Sequence, residues 1–109
     1  METIEDFFKG TGCAVTVCDT ECNIVYQNDR SVAVNGDMRG RNMMPCHNER
    51  SQSIIRSILT EGISNSYTIS KKGQRKLIHQ TPWLHDGRIA GIIELSIVIP
   101  EQMPHYNRG

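Results

Sequence analysis

Apolar residues in this chain first recur at spacings of three and four. They do so in "IEDFF", Ile4 to Phe8, which predicts a short amphipathic helix ended by Gly10 and Gly12. The period then drops to two. "CAVTVCD" places Cys13, Val15 and Val17 on one face and Ala14, Thr16 and Cys18 on the other, which is the pattern of a strand. "DTECN" is a polar turn and "NIVYQN" alternates again, so the two segments predict a hairpin. "DRSVAVNGDMRGRNMM" sustains no period, and Gly36 and Gly40 predict one or two short helical turns on a connecting arm.

The clearest helical stripe is "SQSIIRSILTEG", with Ile54, Ile55, Ile58 and Leu59 on one side. Asn48 is its expected N-cap, and Gly62 stands where a left-handed C-terminal cap is wanted. Three strands follow: "NSYTIS" up to a "KKG" turn, "RKLIHQTPWL" up to "HDGR", and "IAGIIELSIVI". Asp86-Gly87 is a hairpin signal, and Pro82 removes a ladder donor, so a bulge or an edge is expected beside it. Hairpins outnumber crossovers, which makes the class α+β rather than βαβ. Residues 1–12 are expected as an N-terminal helical cap, 13–100 as the domain and 101–109 as a tail. For the proline-broken tail, crossing to a partner subunit and disorder both stay open.

Composition narrows the function classes. At 109 residues the chain suits one domain, which can bury a core without disulfide or metal support. Twelve basic and twelve acidic side chains cancel, so no net field favours nucleic acid or an acidic membrane. No apolar run approaches the roughly 20 residues that span a bilayer, and "METIEDFFKG" lacks the basic start of a signal peptide; the expected location is cytoplasmic. Cys13, Cys18, Cys22 and Cys46 do not form the two close pairs of a structural zinc site, so no metal is expected and reduced thiols are.

The order of these motifs resembles a PAS domain over nearly the whole chain. The opening D-x-x-G-x-I-x-Y-x-N run of that family is matched by Asp19 to Asn28, with Cys22 where the family has glycine. "GRNMM" (Gly40 to Met44) and "DGRIAGIIELSIVI" are similar to the family's later steps. Cys22 puts the turn in question, because glycine supplies positive φ there without strain. The resemblance implies a sensory module: a five-stranded antiparallel sheet, flanked by short helices and one main helix, around a small cavity. On the cavity side it would place Ala14, Thr16, Cys18, Ile78, Gln80, Ile92, Glu94 and Ser96. The outer side would hold Val15, Val17, Leu77, His79, Trp83, Ile93, Leu95 and Ile97.

That assignment sets two tests. Hydrophobicity alone would bury the face of Ile93, Leu95 and Ile97 and leave Glu94 wet. Both faces are sheltered only if the outer one is covered by the "IEDFF" helix with Phe7 and Phe8, or by a second copy, and a homodimer is expected. The inner set, Thr16, Cys18, Gln80, Glu94 and Ser96, is polar for a sheet interior, and a buried carboxylate needs a partner. Glu94 either grips a small polar ligand, bonds Lys76, His47 or the Tyr26 hydroxyl, or lies in a reversed register and meets water.

Cys46 and His47, in "PCHNE", sit just before the main helix on the arm that walls a PAS cavity. Some PAS domains bind haem through a histidine on that side, so His47 is a candidate axial ligand, although the inferred lining is polar. Covalent haem is excluded by the absence of C-x-x-C-H. The flavin photosensors carry a reactive Cys in an N-C-R-F-L-Q type run, which "MPCHNERSQ" does not match. Cys46 is a candidate redox thiol at a helix start. The plain alternative is a helix start alone: Pro45 shapes it, Asn48 caps it, Glu49 suits the dipole and His47 packs.

The expected function is a freestanding sensor that binds a small polar ligand and acts through homodimerisation or a downstream signalling protein. No kinase, cyclase or DNA-binding segment is expected in it, so its output passes to a partner, or the chain is a fragment of something longer. Alternatives are a haem- or thiol-based redox sensor using His47 and Cys46, a ligand-free dimerisation module, and a small enzyme using Cys46, His47 and Glu94. No catalytic residue is assigned, because nothing fixes a nucleophile, a base and an orienting group together.

Overall fold

A computed structural model describes residues 2–109. The elements run α1 (Ile4–Lys9), β1 (Ala14–Asp19), β2 (Ile24–Gln27), α2 (Asp29–Asn35), a 3-10 turn at Met44–Cys46, α3 (Glu49–Glu61), β3 (Asn65–Lys71), β4 (Gln74–His85) and β5 (Arg88–Ile99). All five strands form one antiparallel sheet, as the resemblance implies, and its order β2-β1-β5-β4-β3 joins the first hairpin to the meander through β1 and β5.

The turn residues explain the register. Lys72-Gly73 and Asp86-Gly87 all have positive φ, 51°, 77°, 50° and 77°, the conformation of tight two-residue hairpin turns. The turn is one residue shorter than "KKG", so β3 runs on through Lys71. In the first hairpin, Asp19 Oδ1 accepts the amides of Glu21 and Asn23, which closes the turn locally. Cys22 takes φ 68° in place of the glycine. The turn keeps its geometry, and the substitution adds strain on the order of 1–2 kcal/mol.

Asn28 shows why the opening motif ends in an amide. Its Oδ1 accepts Val15 N at 2.9 Å and Ser31 N at 3.0 Å, which caps α2. Its Nδ2 donates to the carbonyls of Phe8 and Cys13, both at 2.9 Å. One buried, fully satisfied side chain thus ties α1, β1, β2 and α2 together.

The main helix forms as its stripe predicts. Asn48 Oδ1 caps Ser51 N, and Gly62 closes the helix at φ 72°. Ile55 and Ile58 are buried against Cys18, Cys22 and Ile92, with Met43, Met44, Ile54 and Leu59 packed around them. Full burial of Ile58 alone contributes about 1.5–3 kcal/mol.

Gly91 is required by close approach rather than by a turn. A Cβ there would stand 1.9 Å from the Cys18 carbonyl oxygen and 2.6 Å from Trp83 Nε1. The indole crosses this gap to donate to that carbonyl at 3.0 Å. The β4–β5 register shifts beside it, between Trp83 and Leu84, near the irregularity expected from Pro82.

The two sheet faces are covered very differently. α3 lies toward the inner face. On the outer face Val15 is already buried within the chain, but Val17, Leu77, His79, Trp83, Ile93 and Leu95 are half-buried and Ile97 is exposed. α1 meets this face at its edge, where Tyr26 donates to the Glu5 carbonyl, but it buries none of its own residues, and Phe7 and Phe8 remain exposed. No helix among the described residues is long and apolar enough to cross a membrane.

Candidate functional site

Between the inner face of the sheet and the end of α2 with the arm up to His47 lies a cavity of about 530 Å³. All nine residues expected to contact a ligand line it: Thr16, Cys18, Cys46, His47, Ile78, Gln80, Ile92, Glu94 and Ser96. The register explains the shared face, since Thr16 and Gln80 both pair with Glu94, and Ile78 pairs with Ser96. The reversed register is thereby replaced by the one in which Glu94 faces inward. Ala14 shares the parity but is buried without reaching the cavity.

Glu94 is held by an amide chain. Gln80 Nε2 donates to its Oε1 at 3.0 Å, and Asn65 Nδ2 donates to Gln80 Oε1 at 3.0 Å. The Asn65 bond fixes which end of Gln80 faces the carboxylate. None of the internal partners considered from sequence applies. Neither Lys76 nor His47 bonds Glu94, and Tyr26 points its hydroxyl to the Glu5 carbonyl on the other face. Tyr67, across the cavity wall, has its phenol pushed up by burial and then by the Glu94 charge.

His47 is half-buried, and its Nδ1 donates to the Met43 carbonyl at 2.9 Å. That bond places the proton on Nδ1 and leaves Nε2 as the free ring atom. Gln52 Nε2 donates to the carbonyls of Met44 and His47, which locks the turn in front of α3. Cys46 is exposed, and among the described residues its thiol bonds neither His47 nor Glu94. The nucleophile and base needed by the enzymatic alternative are therefore not connected. Cys18, deeper in the wall, is pushed up to about 12 by burial, with the neighbouring Cys22 and Asp19 adding to the rise. It stays a protonated thiol at neutral pH.

The other walls supply residues that sequence reasoning did not assign. Gln27 faces inward opposite Thr16, donates to Ser31 Oγ and Gly36 O, and accepts from Met38 N at 2.7 Å. Tyr67, Ile69 and Lys71 of β3 line the cavity because they share the parity of Asn65. Lys76, 9% exposed, lines it two residues before Ile78. The alternation of β3 and β4 carried this signal for Tyr67, Ile69, Lys71 and Lys76. Nothing local carried it for Val34, Asn35 and Met38, which the arm folds over the opening.

This lining does not fit haem well. Lys71, Lys76 and Glu94 and the amides of Gln27, Asn35 and Gln80 break up the wall, so no continuous apolar slot remains for a macrocycle. Among the described residues no three His, Cys, Asp or Glu side chains gather as a metal site.

No protein-family model and no curated protein sequence matches the chain. Solved structures do resemble it. The PAS domain of the histidine kinase ThkA superposes with a TM-score of 0.65 at 16% identity, covering 78% of this chain and 97% of that one. The Aer2 receptor from Vibrio cholerae, described as a dual PAS-heme oxygen sensor, gives 0.65 at 14%, covering 81% and 95%. The Vibrio cholerae VqmA dimer, a LuxR-type receptor captured without its target DNA, gives 0.72 at 22%, covering 93% of this chain. This chain spans 53% of that VqmA chain, and another VqmA structure has DPO bound. At these identities the likeness is one of fold, and the fold is PAS-like.

Proposed function

We propose that this chain, as a domain of PAS-like fold, is a sensory module that binds a small polar molecule between its sheet and helices. It reports through a second copy of itself or a downstream protein. One observation carries the reading: half-buried Glu94 is turned into the cavity, held there by Gln80, with one carboxylate oxygen left over. A carboxylate half-screened from water gains from a further donor, and a ligand would supply one. The VqmA structure with DPO supports the reading by example, since that protein of similar fold binds a small molecule.

The reporting step rests on the outer face. Ile97 at 39% exposure, its half-buried neighbours Ile93 and Leu95, and the uncovered Phe7 and Phe8 form apolar surface with no cover from the chain. That VqmA, of similar fold, is described as a dimer supports a second copy as the occupant of such a surface. No nucleic-acid contact is proposed for these residues, because their charges balance. A haem sensor is not favoured, given the polar lining.

Native mass spectrometry of protein purified gently from its own host, with its absorbance spectrum, tests the reading. The expected result is a dimer carrying a small bound mass that disappears in Glu94→Gln. A ligand-free dimer would turn the assignment to a plain dimerisation module, and a Soret band would return His47 to consideration as a haem ligand.

A further inference from the structure

The cavity holds two opposite charges, Lys76 and Glu94, neither of which has a countercharge among the described residues. Lys76 is nine-tenths buried and lines the cavity. Among the described residues its ammonium has no hydrogen bond, and no ion pair includes it. Glu94 commits one carboxylate oxygen to Gln80, and the other has no partner among the described residues. Glu94 is half-buried and Lys76 nearly buried, so both are partly screened from water, where an opposite charge is favoured as a partner.

These two do not pair with each other, and the sheet register gives the reason. Glu94 sits opposite Gln80, whereas Lys76 sits opposite Val98. Lys76 and Gln80 are four positions apart on one strand, about 13 Å of backbone. Between them lie Ile78 and Ser96, an apolar and a small residue that offer no bridging charge. Gln80 cannot release the carboxylate freely, because its own oxygen is engaged by Asn65. The anion is pinned at one end of the floor and the cation stands at the other.

We infer that the ligand is a zwitterion, an aminocarboxylate whose carboxylate meets the Lys76 ammonium and whose ammonium meets the free oxygen of Glu94. This rests on the ligand-sensor reading above and names the chemical class. A neutral ligand would satisfy hydrogen bonds but leave both charges unpaired, and a simple anion or amine would pair only one. The spacing along the strand favours a linear molecule with its charges at opposite ends over one with both on the same carbon.

Isothermal titration calorimetry on the full chain tests this with glycine, β-alanine, γ-aminobutyrate, δ-aminovalerate and the common α-amino acids. For each binder, the amine lacking the carboxylate and the N-acetylated acid are titrated alongside. At least one zwitterion is expected to bind, and each charge-deleted analogue to bind about 10- to 100-fold more weakly, the scale of a lost charged hydrogen bond. Lys76→Met should abolish the preference for zwitterion over amine, and Glu94→Gln the preference for zwitterion over N-acetyl acid. The analogue comparison needs no variant, so it stands even if a substitution impairs folding. A zwitterion and its amine binding equally well would overturn the inference. So would failure of every zwitterion while native mass spectrometry still finds a bound molecule, which leaves the sensor reading intact. Protein with no bound mass and no zwitterion binding would sink both.

Discussion

The two faces of the sheet depart from the usual arrangement of a half-buried sheet in opposite ways, the inner one polar within its core and the outer one apolar in part. The inner face, sheltered by α3 and the arm, carries Thr16, Gln80, Glu94, Ser96 and Lys76. The outer face carries Val17, Leu77, Ile93, Leu95 and Ile97 with no element closing over it. A sheet with one face in solvent ordinarily puts its apolar side in and its polar side out. The inner face mixes those polar residues with the core residues Cys18, Ile78 and Ile92, and hydrogen bonds such as Gln80 to Glu94 hold them. The outer face keeps half-buried and exposed apolar side chains. Because the two sets interleave residue by residue along β5, a change felt on one side is one peptide away from the other.

The largest break in this comparison should come from Gly91, where the faces are locked together. Gly91→Val would drive a side chain into the Cys18 carbonyl and the Trp83 indole. The expected outcome is loss of β1–β5 pairing and destabilisation of more than about 4 kcal/mol, read by urea unfolding. A variant that folds normally would mean the Trp83 bond to Cys18 does not fix the sheet.

A smaller and more selective effect is expected at the outer face. Ile97→Asp should change the stability of a single chain by no more than about 0.5 kcal/mol, because the side chain is exposed. It should weaken self-association by about tenfold or more in sedimentation velocity, while sparing the Glu94-dependent bound mass. An unaffected dimer would place the interface elsewhere.

The mildest test is alkaline and reads the inner face. Cys18 is raised from 9.0 to about 12, chiefly by burial, so the folded state holds its proton where the unfolded state releases it. Its contribution to stability is complete below pH 9 and is lost as pH rises toward about 12. Denaturation curves should fall more steeply in alkali for the native chain than for Cys18→Ala. At neutral pH a thiol reagent should label exposed Cys46 before Cys18 or Cys22. Equal pH profiles would show that Cys18 is more hydrated than its 2% exposure implies.

Much of this was legible along the chain. Period-two alternation placed β1, β4 and β5, and the Ile54–Leu59 stripe placed α3, because those signals are local and the backbone alone fixes which side each residue faces. Asp86-Gly87, Asn48 and Gly62 marked their turn and caps for equally local reasons. The resemblance then decided which face was inner, which hydrophobicity alone would have reversed. What escaped was every contact made across sequence distance. The Gln80–Glu94–Asn65 arrangement depends on the pairing of three strands, and the inward turn of Val34, Asn35 and Met38 depends on the path of the arm.

The sequence by itself determined five strands, their turns, one strong helix and a set of polar residues on one parity. Those follow from steric preferences and side-chain period, which act over a few residues. Only the tertiary structure decided that Glu94 would bond Gln80 and not Lys76, and that Asn28 would join four elements through one amide. It alone left Phe7 and Phe8 of α1 exposed. Such outcomes turn on register and on how distant segments compete for the same surface, and no local pattern encodes that competition.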